Sequence, residues 1–304
     1  MVITGYTVME GERMELRVLR YFLAVAREGT ISGAACALHV TQPTLSRQMM
    51  ELEEELGKTL FLRGKRSISL TEEGLFLRDR AREILALVEK TESEFADPAE
   101  GVCGDVYIGG GETFAMRIIA RAACALQKAH PRVTFHLFSG NADTVAERIA
   151  GGLDDFGVFI EPADLSKYDV IRLPVKETWG ILMRKDSPLA SKDVITPDDL
   201  AGLPILVSGQ TFVENEIAGW LGEKAERFHV AATYNLLFNA SRMVEEGMGY
   251  ALCLEGIVST SSGSPFCFRP LKPSLEAGVC VAWKKYQRFS KASALFIEYL
   301  KKEI

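Results

Sequence analysis

The sequence predicts a chain in three parts: a small all-α head with a β-hairpin wing, one long helix, and an α/β body of two lobes. Three observations predict it. Residues 15–56 hold three short runs with apolar residues at helical spacing, followed by a hairpin pattern. Residues 71–95 carry an apolar stripe through a charged stretch. From residue 104, strand and helix patterns alternate, and the alternation restarts after Val175. A length of 304 residues and an apolar fraction of 47% suit one or two domains plus a connector.

The charge is uneven. Residues 13–70 carry nine Lys/Arg against six Asp/Glu, a net of +3, and the total of −6 leaves −9 for the rest. A basic head on an acidic body points to one nucleic-acid surface. The first residues, MVITGYTVMEGE, lack the long apolar stretch of a secretory signal. Residues 1–13 read as a flexible extension, and Met1 and Met14 both fit as the translation start. No run reaches the length of a membrane span. Six cysteines at no metal-like spacing read as reduced core residues of a cytoplasmic protein.

In the first helix, Leu16, Leu19, Phe22, Leu23 and Val25–Ala26 share a face, and Gly29 is a plausible stop. Thr30 or Ser32 caps the second, whose Ala34, Ala35 and Leu38 face a neighbour. Thr41 fits the cap of the third, with Pro43 in its first turn. Leu45, Met49, Leu52 and Leu56 form its inner stripe. Gln42, Thr44, Ser46, Arg47 and Gln48 fall near its start, mostly outward.

Such a start suits DNA. Helix N-termini favour phosphate, Gln, Ser and Thr can read base edges, and Arg can grip guanine or phosphate. The acidic run Glu51–Glu55 is expected away from the groove or at a partner surface. In FLRGKRSISLT, Phe61–Arg63 and Ser67–Leu70 can pair across Gly64, with Lys65 and Arg66 at a basic tip. Short helices with surface Arg and Gln also occur in domains that touch no nucleic acid.

Thr71 caps the long helix, with Glu72 and Glu73 in its first turn. Leu77, Ala81, Ile84 and Val88 form a seam, which either meets a partner helix or packs on its own domain. In the body, DVYIGG, VTFHLFSG and DFGVFI read as strands around the helices MRIIARAACALQKAH and NADTVAERIAGG, the latter capped by Asn141. The second lobe runs from WGILMRK through PILVSG, VENEIAGWLGEKA, RFHVAAT and NLLFNASRMVEEGMG, with Asn235 as a cap, to YALCLEG. FCFRPL, GVCVAW and FSKASALFIEYLKKE close the chain. A cleft between two such lobes is the default small-molecule site.

No catalytic or metal set stands out. His39, His130, His136 and His229 are scattered, Cys103 and Cys124 read as core, and YIGGGE lacks the Lys of a phosphate loop. No cofactor is expected. A catalytic or solute-binding cytosolic α/β protein is the alternative, but it leaves the basic head unexplained. A cysteine redox switch has little support.

Residues 15–74 resemble the winged helix-turn-helix of the LysR-type transcriptional regulators, carried by LRYFLAVAREGTISGAACALHVTQPTLSRQMMELEEELGKTLFLR and LTEEG. The resemblance extends over nearly the whole chain from Met14. It implies a DNA-binding domain at 14–70, a dimerising linker helix at 71–95, a hinge at 96–103 and an effector-binding domain at 104–304. The body would be two periplasmic-binding-protein-like lobes, I at about 104–174 and 271–304, II at about 175–270. The recognition-helix entry would span Thr41 to Gln48, and the wing Arg63 to Arg66. Effector positions would be Glu112, Thr113 and Phe114, Asn141 and Ala142, Ser208, Gly209, Thr211 and Phe212, and Asn235. Thr113 and Asn141 could bind an anion at a helix start, or simply cap their own helices. Glu112 is awkward for an acidic ligand and would favour an amine or hydroxyl. The resemblance further implies a regulator, not an enzyme: a dimer or dimer of dimers on double-stranded DNA, answering a small molecule and contacting RNA polymerase.

Overall fold

The computed structural model describes residues 14–64, 67–95, 101–209 and 211–304. Two compact units divide at residues 92 and 93.

In the first unit, α1 (Leu16–Glu28), α2 (Ile31–Ala37) and α3 (Gln42–Leu56) precede a hairpin of β1 (Phe61–Arg63) and β2 (Ile68–Leu70). Helix α4 spans Glu72–Phe95. The helices begin where short polar side chains meet free N–H groups. Thr30 Oγ1 accepts from Gly33 N at 3.1 Å, Thr41 Oγ1 from Thr44 N at 3.4 Å, and Thr71 Oγ1 from Gly74 N at 3.0 Å. Gly29 and Gly57 end α1 and α3 in the left-handed region, with φ of 65° and 61°. Leu19, Phe22, Val25, Ala34, Leu45, Met49 and Leu52 are buried in one core with Leu60 and Phe61. Leu56, expected on that stripe, is exposed, because it is the last residue of α3 and lies past the core.

Helix α4 corrects the expected seam. Leu77, Ala81 and Leu85 are buried in the head's own core. Ile84 is exposed and Val88 half-buried. The apolar side chains left open are Leu75, Phe76, Ile84 and Leu87, with Phe76 66% exposed. Successive residues turn by about 100°, so Phe76, Arg80, Ile84 and Leu87 line one stripe beside the covered one.

The acidic run of α3 makes contacts within the head. Glu53 Oε1 accepts from Leu60 N at 2.7 Å and Phe61 N at 3.1 Å, tying the helix to β1. Glu51 accepts from Arg47 Nε at 2.7 Å and Gln48 Nε2 at 2.6 Å. It therefore stands beside the polar side chains at the start of α3, since residues three and four apart share a helix face.

The second unit is built on a sheet ordered β4-β3-β5-β11-β6-β9-β7-β8, with β10 also on β6. Its chain order is β3 (Cys103–Gly110), α5 (Met116–Ala129), β4 (Arg132–Ser139), α6 (Ala142–Ala150), β5 (Phe156–Ile160) and β6 (Tyr168–Arg184). Then come β7 (Pro204–Ser208), α7 (Thr211–Leu221), β8 (His229–Tyr234), α8 (Leu237–Glu245), β9 (Tyr250–Leu254), β10 (Phe266–Pro270), β11 (Glu276–Lys284) and α9 (Lys291–Lys302). Strands β3, β4 and β5 pair in parallel, as do β7, β8 and β9. Each set makes one lobe, with its own core.

Strand β6 belongs to both lobes. Its first residues, Tyr168–Arg172, pair with β11, and its last, Trp179–Arg184, pair with β9 and β10. Between them, Lys176–Thr178 pair with Glu276–Gly278. In the first lobe, buried Asp154 takes both Arg148 Nε and Nη2 at 2.8 Å. Buried Asp155 accepts from Tyr107 N at 2.9 Å and Ser293 Oγ at 3.1 Å, joining β3 to α9. Cys253, Cys267 and Cys280 are core residues, but Cys36 and Cys124 are exposed, contrary to the expected burial, because each falls on the open face of an amphipathic helix.

Gly74 marks a close approach in the head. A Cβ there would lie 2.2 Å from the Leu60 carbonyl oxygen. We expect Gly74→Ala to destabilise the head by about 1–3 kcal/mol through forced backbone displacement. Urea unfolding checks this, and an unchanged midpoint contradicts the contact.

Candidate functional site

Two surfaces carry the chemistry. On the head, Gln42, Thr44 and Arg47 are exposed at the start of α3, and Ser46 and Gln48 are half-buried beside them. The Thr41 and Thr44 hydroxyls are 2.8 Å apart. Arg47 keeps 78% of its side chain exposed despite its ion pair with Glu51. The start of α3 thus offers backbone N–H groups, hydroxyls, amides and one accessible guanidinium. Lys65 and Arg66 lie outside the described residues, as does the side chain of Arg63.

The second surface is a cavity in the body, about 60 Å³ in volume beneath a mouth open to solvent. It lies beyond the carboxyl ends of the parallel strands, where open α/β sheets place their ligands. Gly111, Glu112, Ala142 and Asp143 of the first lobe face Ser208, Tyr234, Asn235 and Leu237 of the second. Ile160, Pro162, Trp179, Cys253, Leu254 and Ile257 complete the wall.

Among the expected effector residues, Glu112, Ala142, Ser208 and Asn235 line this cavity. The others are placed differently. Thr113 is buried, and its hydroxyl donates to Glu177 Oε1 at 2.5 Å, so it is committed within the protein. Asn141 Oδ1 accepts from Thr144 N at 3.0 Å and Thr144 Oγ1 at 2.7 Å, so that oxygen caps α6. Phe114 is exposed and lines adjoining depressions, with Arg117 Cζ 5.0 Å from its ring centre. Gly209 is exposed, and its N–H bonds Tyr234 O at 2.9 Å. The side chains of Thr211 and Phe212 lie outside the described residues. Asn235 is not the cap of α8, since its Oδ1 accepts from Leu236 N at 2.9 Å.

The acceptor at the start of α8 is Glu112, which takes the N–H of Leu237 from the opposite lobe. A second internal carboxylate serves α5. Glu177 Oε1 accepts from Ala115 N at 2.9 Å as well as from Thr113. Glu177 is itself buried. No local pattern announces Glu177, Trp179 or Tyr234. Burial pushes the Cys253 thiol up to about 12 and the Tyr234 phenol well above its ordinary value, with Glu112 adding to both. Both stay protonated near neutral pH, so neither serves as a nucleophile or base.

Residues 16–75 match the family described as bacterial regulatory helix-turn-helix protein, lysR family, and residues 99–304 match the LysR substrate binding domain. The chain belongs to the LysR family. It is a DNA-binding transcriptional regulator with an effector-binding domain, not an enzyme. The transcriptional regulator BudR of Raoultella terrigena is 26% identical over 290 residues, 94% of this chain and 99% of that one. The regulator IlvY of Escherichia coli K12 is 27% identical over 283 residues, 90% of this chain and 94% of that one. The crystal structure of CbnR, a LysR family transcriptional regulator, shares the fold. Its TM-score is 0.75 at 21% identity, covering 95% of this chain and 99% of that chain. CbnR complexed with its target DNA aligns with a TM-score of 0.74 at 21% identity, over 96% of this chain and all of that one. Among the described residues, no helix is long and apolar enough to cross a membrane.

Glu177 is the member of this site with the clearest structural cost. Its replacement by Ala leaves the Thr113 hydroxyl without its acceptor and the Ala115 N–H with only the Thr113 hydroxyl oxygen, 3.1 Å away. The expected loss is about 1–3 kcal/mol of stability in the body. Denaturant titration followed by Trp fluorescence reads it, and wild-type stability would mean that another acceptor serves both donors.

Proposed function

We propose that the regulator reads DNA through Gln42, Thr44, Ser46, Arg47 and Gln48 of α3 and through a wing of Arg63, Lys65 and Arg66, and that a small molecule in the body cavity controls that reading. The observation that carries this is the pairing of an exposed polar helix start with a cavity whose walls come from two lobes. The functional division is head 14–70, linker 71–95, hinge 96–103 and body 104–304, with lobe I at about 104–174 and 271–304 and lobe II at about 175–270. Glu112, Ala142, Ser208 and Asn235 contact the effector. Its binding favours one lobe arrangement, a population shift set by differential affinity. Readout to RNA polymerase completes the action. Because the DNA partner lies there, the protein works in the cytoplasm.

The working form is a homodimer, or a dimer of dimers, joined through α4. The open stripe of Phe76, Ile84 and Leu87 supports this reading, and Val88 borders it. A second copy is the occupant because two heads on one roughly palindromic site need a self-complementary joint.

Arg47→Ala tests the DNA face. The expected result is weaker operator binding, with the slope of log affinity against log salt reduced by about 1 if Arg47 meets phosphate. If it meets a base, the slope holds and discrimination between operator and random duplex falls. Unaltered binding across the salt series removes Arg47 from the interface. Leu87→Glu tests the joint. It should shift sedimentation toward monomer while leaving the helical circular dichroism in place. A dimer that persists at micromolar concentration would rule this stripe out.

A further inference from the structure

The cavity is unusual in how its helix starts are used. A helix N-terminus is a ready anion site, because free N–H groups and the dipole both favour negative charge. Here the first N–H of α8 already holds the Glu112 carboxylate. The chain entering α5 holds the Glu177 carboxylate through Ala115 N and the Thr113 hydroxyl. The α6 start is met by the Asn141 amide oxygen. An incoming carboxylate or phosphate finds three starts with acceptors in place.

The rest of the lining repels an anion further. Glu112 and Asp143 both face the cavity, and its described wall holds no Lys, Arg or His. Arg117 and Lys176 belong to adjoining depressions, where Arg117 lies over Phe114 and Lys176 Nζ bonds Glu276 at 2.9 Å. A second negative charge beside half-buried Glu112 would be unpaired and costly. A positive charge would be paired, and the Trp179 and Tyr234 rings offer it a negative face or an apolar wall for its carbon body.

We propose that the effector of this regulator is a cation: an organic amine whose ammonium group pairs with Glu112 while its apolar part lies against Trp179 and Tyr234. This rests on the cavity being the effector site. The Glu112 carboxylate then serves two partners at once, the α8 N–H on one side and the ammonium on the other, so the ligand strengthens an existing bridge between the lobes.

The experiment uses the full-length chain and matched pairs of one skeleton: benzylamine with benzoate, phenethylamine with phenylacetate, putrescine with succinate. Binding is read by calorimetry and thermal shift, in the wild type and in two variants. Glu112→Gln keeps an oxygen for the α8 N–H and removes the charge. Ala142→Trp fills the cavity mouth. The proposal expects at least one amine to bind and its matched carboxylate to fail. It further expects Glu112→Gln to weaken that amine by about tenfold to a hundredfold, as loss of a charge-assisted bond does. Ala142→Trp should block it. Carboxylate binding that Ala142→Trp abolishes would overturn the cationic class but keep the cavity as the site. Ligand binding untouched by Ala142→Trp would overturn the cavity itself. No amine binding up to roughly ten millimolar, or amine binding indifferent to Glu112→Gln, likewise overturns the proposal.

Discussion

A helix that begins at a surface leaves its first N–H groups without partners, and each must find an acceptor. That constraint organises both halves of this molecule. In the head, threonine hydroxyls three residues upstream supply the acceptors, and the start of α3 stays open to solvent on its other sides. In the body, Asn141 and Ser290 cap α6 and α9 locally, but carboxylates from remote parts of the chain serve α5 and α8. The same physical need therefore yields an outward-facing surface in one unit and a pre-filled cleft in the other. The difference lies in what meets the first N–H groups: a hydroxyl from the same turn at α3, and a carboxylate from the opposite lobe at α8.

The capping side chains show what can be read from sequence. Thr30, Thr41, Thr71 and Asn141 cap as their positions foretell, because the contact spans three residues and is written locally. Glu112 and Glu177 reach partners 125 and 62 residues away, so no window on the sequence reveals them. Asn235 has the right chemistry in nearly the right place, yet Glu112 from the opposite lobe serves the α8 N–H in its stead. The division into strands, helices and two lobes was legible, since periodicity and restart are repeated signals. Of the cleft lining, Glu112, Ala142, Ser208 and Asn235 were legible through the resemblance, but Trp179 and Tyr234 were not, since they depend on which strand ends converge.

Helix α4 makes the same point from the packing side. Its apolar period is plain in the sequence, but period alone does not say which stripe the parent domain covers. The head core takes Leu77, Ala81 and Leu85, and the neighbouring stripe is the one left open. Leu56 and Cys124 fail for a related reason: an apolar side chain near a helix end or on a wide helix face can lie past the reach of the core. Glu51 and Glu53 share a short acidic run and still do different work. One holds Arg47 and Gln48, and the other fastens β1.

The seventeen residues of β6 set the mechanical character of the body. A lobe hung on flexible coil could swing away from its neighbour. Here Lys176–Thr178 and Glu276–Gly278 stay laddered across the gap, so separation would break main-chain bonds. A change that keeps those bonds can alter the angle between the lobes but not the distance across the ladder. What such a body can report is therefore orientation.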